Sequence, residues 1–163
     1  MPTRVLIVDT DESDRLALAR ILKSLGCWCA LAADQEQASD RLKEYRFEMA
    51  IVEIDGASGL GLDLLRHVRG ECSDTAILAV TSVFDPLDAD AVLEIGVYGY
   101  LLKPLTPTEV LIQVSCALRR RMREIEWHAS FDAMKKALLE QASKLRVATE
   151  QLGMAERQLR STV

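Results

Sequence analysis

The chain has no apolar stretch near the ~20 residues that span a bilayer; Ala76-Ile77-Leu78-Ala79-Val80 is typical of its longer runs. No basic start leads into an apolar segment and a cleavage site, so no signal peptide is expected and the predicted location is cytoplasmic. Positive charge is not in surplus. With 20 Lys+Arg against 25 Asp+Glu, the net charge of -5 argues against generic nucleic-acid binding. There is no C-x-x-C pair either. Cys27, Cys29, Cys72 and Cys116 lack zinc-site spacing and read as small apolar fillers in a reduced compartment. Cys27 and Cys29 are predicted to share one face of a short strand. Helix breakers run out early: Pro107 is the last proline, and Gly153 is the only glycine beyond Gly99. Against these absences stand 163 residues that are 49% hydrophobic and 28% charged, enough for one packed domain with an appendage.

Charge is unevenly divided along the chain. Residues 1–105 hold 10 Lys+Arg and 18 Asp+Glu, whereas residues 106–163 hold 10 and 7. The first part is therefore acidic and the second mildly basic. With the change in proline and glycine content, this predicts a globular domain over 1–120 and a helical extension over 121–163.

Within the globular part, strand and helix signals alternate. Val5-Leu6-Ile7-Val8 is a β-branched run ending in Asp9. The stretch 12–25 carries Leu16, Ala19, Ile21, Leu22 and Leu25 at helical spacing and stops at Gly26. Residues 27–31 form a second strand. Asp34 and Gln37 mark a capping box that opens a helix to about residue 45. Residues 49–53 and 76–81 are further strands, with a helix over 60–68 between them. Asp85-Pro86 is an N-cap followed by proline at the first helical position. Residues 98–102 make the fifth strand, and Thr106-Pro107-Thr108-Glu109 starts the last helix. Five short apolar strands, each followed by a helix, predict an α/β doubly wound parallel sheet with both faces covered. In such folds the functional crevice lies beyond the carboxyl ends of the strands.

Those ends collect acids, hydroxyls and a lysine: Asp9-Thr10-Asp11-Glu12, Glu53 with Asp55, Thr81-Ser82, and Lys103-Pro104. Crowded carboxylates repel and take a hard cation or a lysine as countercharge. The order and spacing of Val5-Leu6-Ile7-Val8-Asp9, Ile51-Val52-Glu53 with Gly61 eight residues on, Ala79-Val80-Thr81-Ser82 and Gly99-Tyr100-Leu101-Leu102-Lys103-Pro104 resemble the receiver domain of bacterial two-component response regulators. The resemblance covers about residues 3–120. It implies a flavodoxin-like five-stranded parallel sheet of order 2-1-3-4-5, here with a long C-terminal helical extension. It also implies that the phosphoacceptor position is Glu53, that Thr81, Tyr100 and Lys103 are the switch residues, and that the Lys103-Pro104 bond is cis. The acidic magnesium pocket maps to Asp9 and Thr10, with Asp11 one residue late and Asp55 nearby.

Two departures alter the expected chemistry. Glutamate in place of aspartate moves the carboxylate out by roughly 1 Å, and a misplacement of that size can slow a reaction about 100-fold. The longer side chain can instead reach Lys103. Threonine at position 10 removes a magnesium ligand, so no cofactor is required and Mg²⁺ affinity is expected to be weak. The reading is an atypical, phosphorylation-independent receiver, not an enzyme, that works through protein–protein contacts. The resemblance implies an active-like state, although one carboxylate offers less charge than a phosphoryl group. The alternative is a phosphotransfer-competent receiver that uses Glu53, Asp55 or Asp11 as a weak acceptor and controls an output domain or a DNA-binding partner.

Beyond residue 107 the pattern is one long helix. Phe131, Leu138, Leu145, Leu152 and Leu159 recur every seven residues. A second row of Met134, Gln141, Ala148, Ala155 and Thr162 follows three residues behind. This heptad seam predicts a coiled coil and a homodimer, in either helix order. Near the start of the helix, Leu111, Val114 and Leu118 are expected to face the sheet. Arg119-Arg120-Arg121-Met122-Arg123 reads as a solvated helix face, His67 as exposed on the third helix, and His128 lies in no phosphotransfer motif. The expected partners are a second copy and a signalling protein or fused output domain, without nucleic acid or a membrane span.

Overall fold

The computed structural model describes residues 1–54, 60–82 and 86–162, with the side chains of residues 60 and 86–88 left aside. Asp55 and the Asp85 cap fall outside the described residues. The elements are β1 (Arg4–Val8), α1 (Glu12–Ser24), β2 (Trp28–Ala32), α2 (Gln35–Glu44), β3 (Met49–Glu53), α3 (Leu60–Glu71), β4 (Ala76–Thr81), α4 (Pro86–Ile95), β5 (Gly99–Leu102) and α5 (Pro107–Ser161). The sheet is parallel throughout, in the order β2-β1-β3-β4-β5. The α/β architecture, its strand order and the long C-terminal helix are as expected from the sequence.

β1, β3 and β4 occupy the centre and are buried along nearly their whole length, because helices cover both faces. The edge strands β2 and β5 are only partly covered. On one face, Leu18 and Leu22 of α1 pack with Val110, Val114 and Ala117 of α5. On the other lie Ala38 of α2, Leu64, Leu65 and Val68 of α3, and Val92 of α4. Two details differ from the sequence reading. Leu16 and Leu25 are exposed, because the stripe of α1 that meets the sheet runs through Leu18 and Leu22. Likewise the inner row of α5 is Val110-Val114-Ala117, with Leu118 at its margin and Leu111 half-buried beside it. Cys27 and Cys29 both pack toward the α1/α5 face.

Local chemistry explains where the helices start and stop. The Asp34 carboxylate accepts the Gln37 N–H at 2.8 Å, and the Gln37 side chain accepts the Ala33 N–H at 2.9 Å. Gly26 and Gly96, at φ of 76° and 89°, take the left-handed conformation that ends α1 and α4. The strands stop level with one another, Val8 pairing with Ala32 and Val52, and Thr81 with Leu102. The residues that follow therefore emerge along one rim.

The chain divides into two compact units, Met1–Met122 and Arg123–Val163. Near the end of the first, the Arg120 guanidinium lies 4.3 Å from the Tyr98 ring centre, and Arg121 Nε donates to the Asp74 carbonyl at 2.5 Å. The basic run is thus partly engaged in packing, not simply a solvated face. The second unit is helical throughout its described length up to Ser161. Phe131, Leu138, Leu145, Leu152 and Leu159 are all exposed, between 52% and 70%. The Trp127 and Phe131 rings stack one turn apart at 5.5 Å. Among the described residues, no helix is long and apolar enough to cross a membrane.

Candidate functional site

The rim is assembled from β1, β3 and β5 plus the first turn of α1. Asp9 follows β1 and is buried, with its side chain 1% exposed. Its Oδ1 accepts the Asp11 N–H at 2.9 Å, and Arg15 donates to its carbonyl at 2.6 Å. Asp11 is the N-cap of α1 and accepts the Asp14 N–H at 3.0 Å. That cap fixes the first turn and delivers the Asp14 carboxylate to the rim. Lys103, at the end of β5, extends into the centre. Its Nζ lies 2.8 Å from Asp9 Oδ2, 2.8 Å from Asp14 Oδ2 and 3.0 Å from Glu53 Oε1.

Glu53, the last residue of β3, is held from both sides. While Oε1 meets Lys103, Oε2 accepts two hydrogen bonds from Thr10, from its N–H and from its hydroxyl, each 2.8 Å. Behind it, α3 starts so close to β3 that a Cβ on Gly61 would sit 2.6 Å from the Glu53 carbonyl oxygen and 2.6 Å from Ile54 Cα. Only hydrogen fits there. A cavity of about 110 Å³ opens beside the carboxylate, lined by Val8, Asp9, Thr10, Ala33, Asp34, Gln35, Glu53, Gly61 and Leu64.

Burial opposes every charge in the cluster, and the outcome depends on the partners. Burial pushes the Glu53 carboxyl up, but the Thr10 N–H, Lys103 and the Thr10 hydroxyl together bring it below its ordinary value. For Asp9, burial wins: its carboxyl stays above the ordinary range despite Lys103 and the Asp11 N–H, with Glu53 adding to the rise. Burial alone would lower the Lys103 ammonium, yet its bonds to Asp14, Asp9 and Glu53 hold it well above the ordinary lysine range. The pairings favour an ionised Glu53 and a protonated Lys103. One ammonium faces three carboxylates, of which Asp14, at 38% exposed, is the most solvated.

Of the residues singled out in the sequence, Asp9, Thr10, Glu53 and Lys103 come together. Thr81 ends β4 beside them, buried, its carbonyl accepting the Lys103 N–H at 2.8 Å. Tyr100 is half-buried on the opposite side of β5 from Leu101, against the core face formed by α2, α3 and α4. The Lys103-Pro104 peptide is cis. Asp11 is occupied as a helix cap. Asp14 was not anticipated: a first-turn acid two residues into a helix looks like an ordinary dipole partner. Its position three residues after a capping Asp11 was the available signal. Among the described residues, no group of three or more His, Cys, Asp and Glu side chains has the arrangement of a metal site.

Comparison with known proteins places these features in a family. The family profile of the response regulator receiver domain matches residues 5–115. Over 124 residues, the chain is 31% identical to the DNA-binding response regulator MtrA of Mycolicibacterium smegmatis, covering 76% of this chain and 54% of that protein. The chain thus spans about half the length of the curated relatives it matches. A CheY-like receiver domain protein from Methanospirillum hungatei superposes with a TM-score of 0.71 at 22% identity, covering 76% of this chain and 99% of that one. A two-component response regulator from Clostridium difficile superposes with a TM-score of 0.65 at 28% identity, covering 74% and 98%.

Proposed function

Because the chain belongs to the response regulator receiver family, we propose that it is a receiver whose switch is set by its own side chains in place of phosphorylation. The observation that carries this reading is the double engagement of Glu53, with Lys103 on one oxygen and Thr10 on the other. A phosphoacceptor needs a carboxylate oxygen aligned with the donor phosphorus at near-attack distance. Here the carboxylate is already held by Lys103 and Thr10. Glu53 supplies the lysine with the negative charge that a phosphoryl group would bring, though with about one charge instead of nearly two.

The residues do not fit a magnesium ion. Both Asp9 oxygens are in use, one with Asp11 and one with Lys103, and Thr10 offers a hydroxyl where the resemblance places a second acid. That hydroxyl points its proton at Glu53. Mg²⁺ prefers carboxylate oxygens and gives up its waters reluctantly. The module therefore acts without a cofactor and without catalysis, through contacts with a second copy along the C-terminal helix and with a partner or output domain. Asp11 as a substitute acceptor is disfavoured by its role as the α1 cap.

The test is incubation with acetyl phosphate and Mg²⁺ followed by intact-mass measurement. The expected spectrum shows the unmodified chain alone. A stable gain of one phosphoryl group overturns the proposal.

A further inference from the structure

We infer that the helical segment Arg123–Ser161 pairs with a second copy of itself in antiparallel order. This rests on the reading above that the helix dimerises, and supplies its direction. The first observation is size. The exposed seam has large residues in one row, such as Leu138 and Leu145, and a mixed row three residues behind, Met134, Gln141, Ala148, Ala155 and Thr162, that is small at Ala148 and Ala155. In parallel order each layer joins like with like. Leu145 then meets Leu145, Ala148 meets Ala148, and full layers alternate with hollow ones. In antiparallel order the leucines meet the alanines, Leu145 against Ala148 and Leu138 against Ala155 of the second copy, while Leu152 meets Gln141 and Leu159 meets Met134. No layer then joins alanine to alanine, so the hollow layers of the parallel order are filled, as close packing requires.

The second observation is charge. The residues flanking the seam include one acid and two bases: Glu156, Lys135 and Lys144, all exposed. Antiparallel order sets Lys135 of each copy opposite Glu156 of the other, twice by symmetry. Parallel order sets Lys135 opposite Ser130 and Glu156 opposite Gln151, leaving no ion pair across the interface. Lys144 faces an uncharged residue in either order and does not discriminate. The register that sets leucine against alanine is thus also the one that pairs Lys135 with Glu156. Antiparallel order brings Phe131 of one copy to Thr162 of the other, and Arg123 of each to opposite ends of the paired segment.

The experiment is sedimentation equilibrium of the full chain, with helicity checked by circular dichroism. Lys135→Glu and Glu156→Lys each create two like-charge pairs in the antiparallel dimer, and each is expected to raise the dimer dissociation constant about fivefold. Mixing the two variants is expected to restore wild-type affinity, because the mixed dimer regains opposite charges at both sites. A wild-type dimer indifferent to both reversals, or weakened without rescue on mixing, overturns the antiparallel order and leaves dimerisation standing. A wild-type chain that stays monomeric at tens of micromolar overturns dimerisation itself, and the direction with it.

Discussion

The two compact units of this chain spend their side chains in opposite ways. In Met1–Met122 the apolar residues are inside and charges are drawn in after them: Asp9 and Lys103 sit almost out of water, each compensated by the other. In Arg123–Val163 the charges stay in water, and so do five large apolar residues of the seam. The first unit closes its interactions within one chain, through strands far apart in sequence. The second leaves its interactions open, as a lone amphipathic helix must. The lesson is that long-range contacts let a chain bury its apolar residues within itself, whereas the local contacts of a single helix leave an apolar row in water.

The sharpest way to break that contrast is to remove the central cation. Lys103→Met leaves three carboxylates facing one another, and breaking a buried ion pair costs about 3–5 kcal/mol. Urea denaturation followed by Trp28 fluorescence in a Trp127→Phe background is expected to show that loss. The seam-mediated association is expected to be unchanged. The same variant isolates a pH effect. In the wild type Lys103 contributes fully below the ordinary lysine value of 10.5, and its contribution fades as the unfolded state loses its proton first above that pH. Melting temperature is therefore expected to decline above that point in the wild type, and the part due to Lys103 to vanish in Lys103→Met. In acid, Glu53 and Asp9 act in opposite directions. Glu53's stabilisation is lost as pH falls through its lowered value, while Asp9 favours the fold at low pH and less so as pH rises through its raised one.

Glycine substitutions sharpen the comparison with smaller effects. Gly61→Ala drives a methyl into the backbone of Glu53 and Ile54, and overpacking of this kind costs about 1–3 kcal/mol. Gly153→Ala meets only the end of Arg157, at 3.7 Å, and is expected to stabilise the helix by about 1 kcal/mol. One glycine is required by a close approach and the other by nothing in the described residues. Circular dichroism melts of both variants check this, with a loss for the first and a gain for the second.

Most of the architecture was legible because hydrophobic runs and caps agree locally with the fold they build. Where the reading slipped, two patterns competed. The helix at 12–25 offers leucines on more than one face, and only docking on the sheet selects Leu18 and Leu22 over Leu16 and Leu25. The site was legible at Asp9, Glu53 and Lys103, each of which follows or ends a strand. Asp14 was not, because its role depends on where the capped helix lands. Thr10 was read only as a missing ligand, and its donation to Glu53 was not foreseen: a hydroxyl's partner is set by distance, and sequence does not give distance. Arg120 and Arg121 were hidden for the same reason, inside a run of four arginines with a single methionine.

The Thr10–Glu53 pairing makes each position depend on the other. An aspartate at position 10 alone would set a carboxylate against the one Thr10 now holds. An aspartate at position 53 alone would withdraw by a methylene from the donors that reach for it. Either single substitution loses a good contact. The two positions are therefore interlocked: either change alone is expected to lower stability, and their effects are expected not to add.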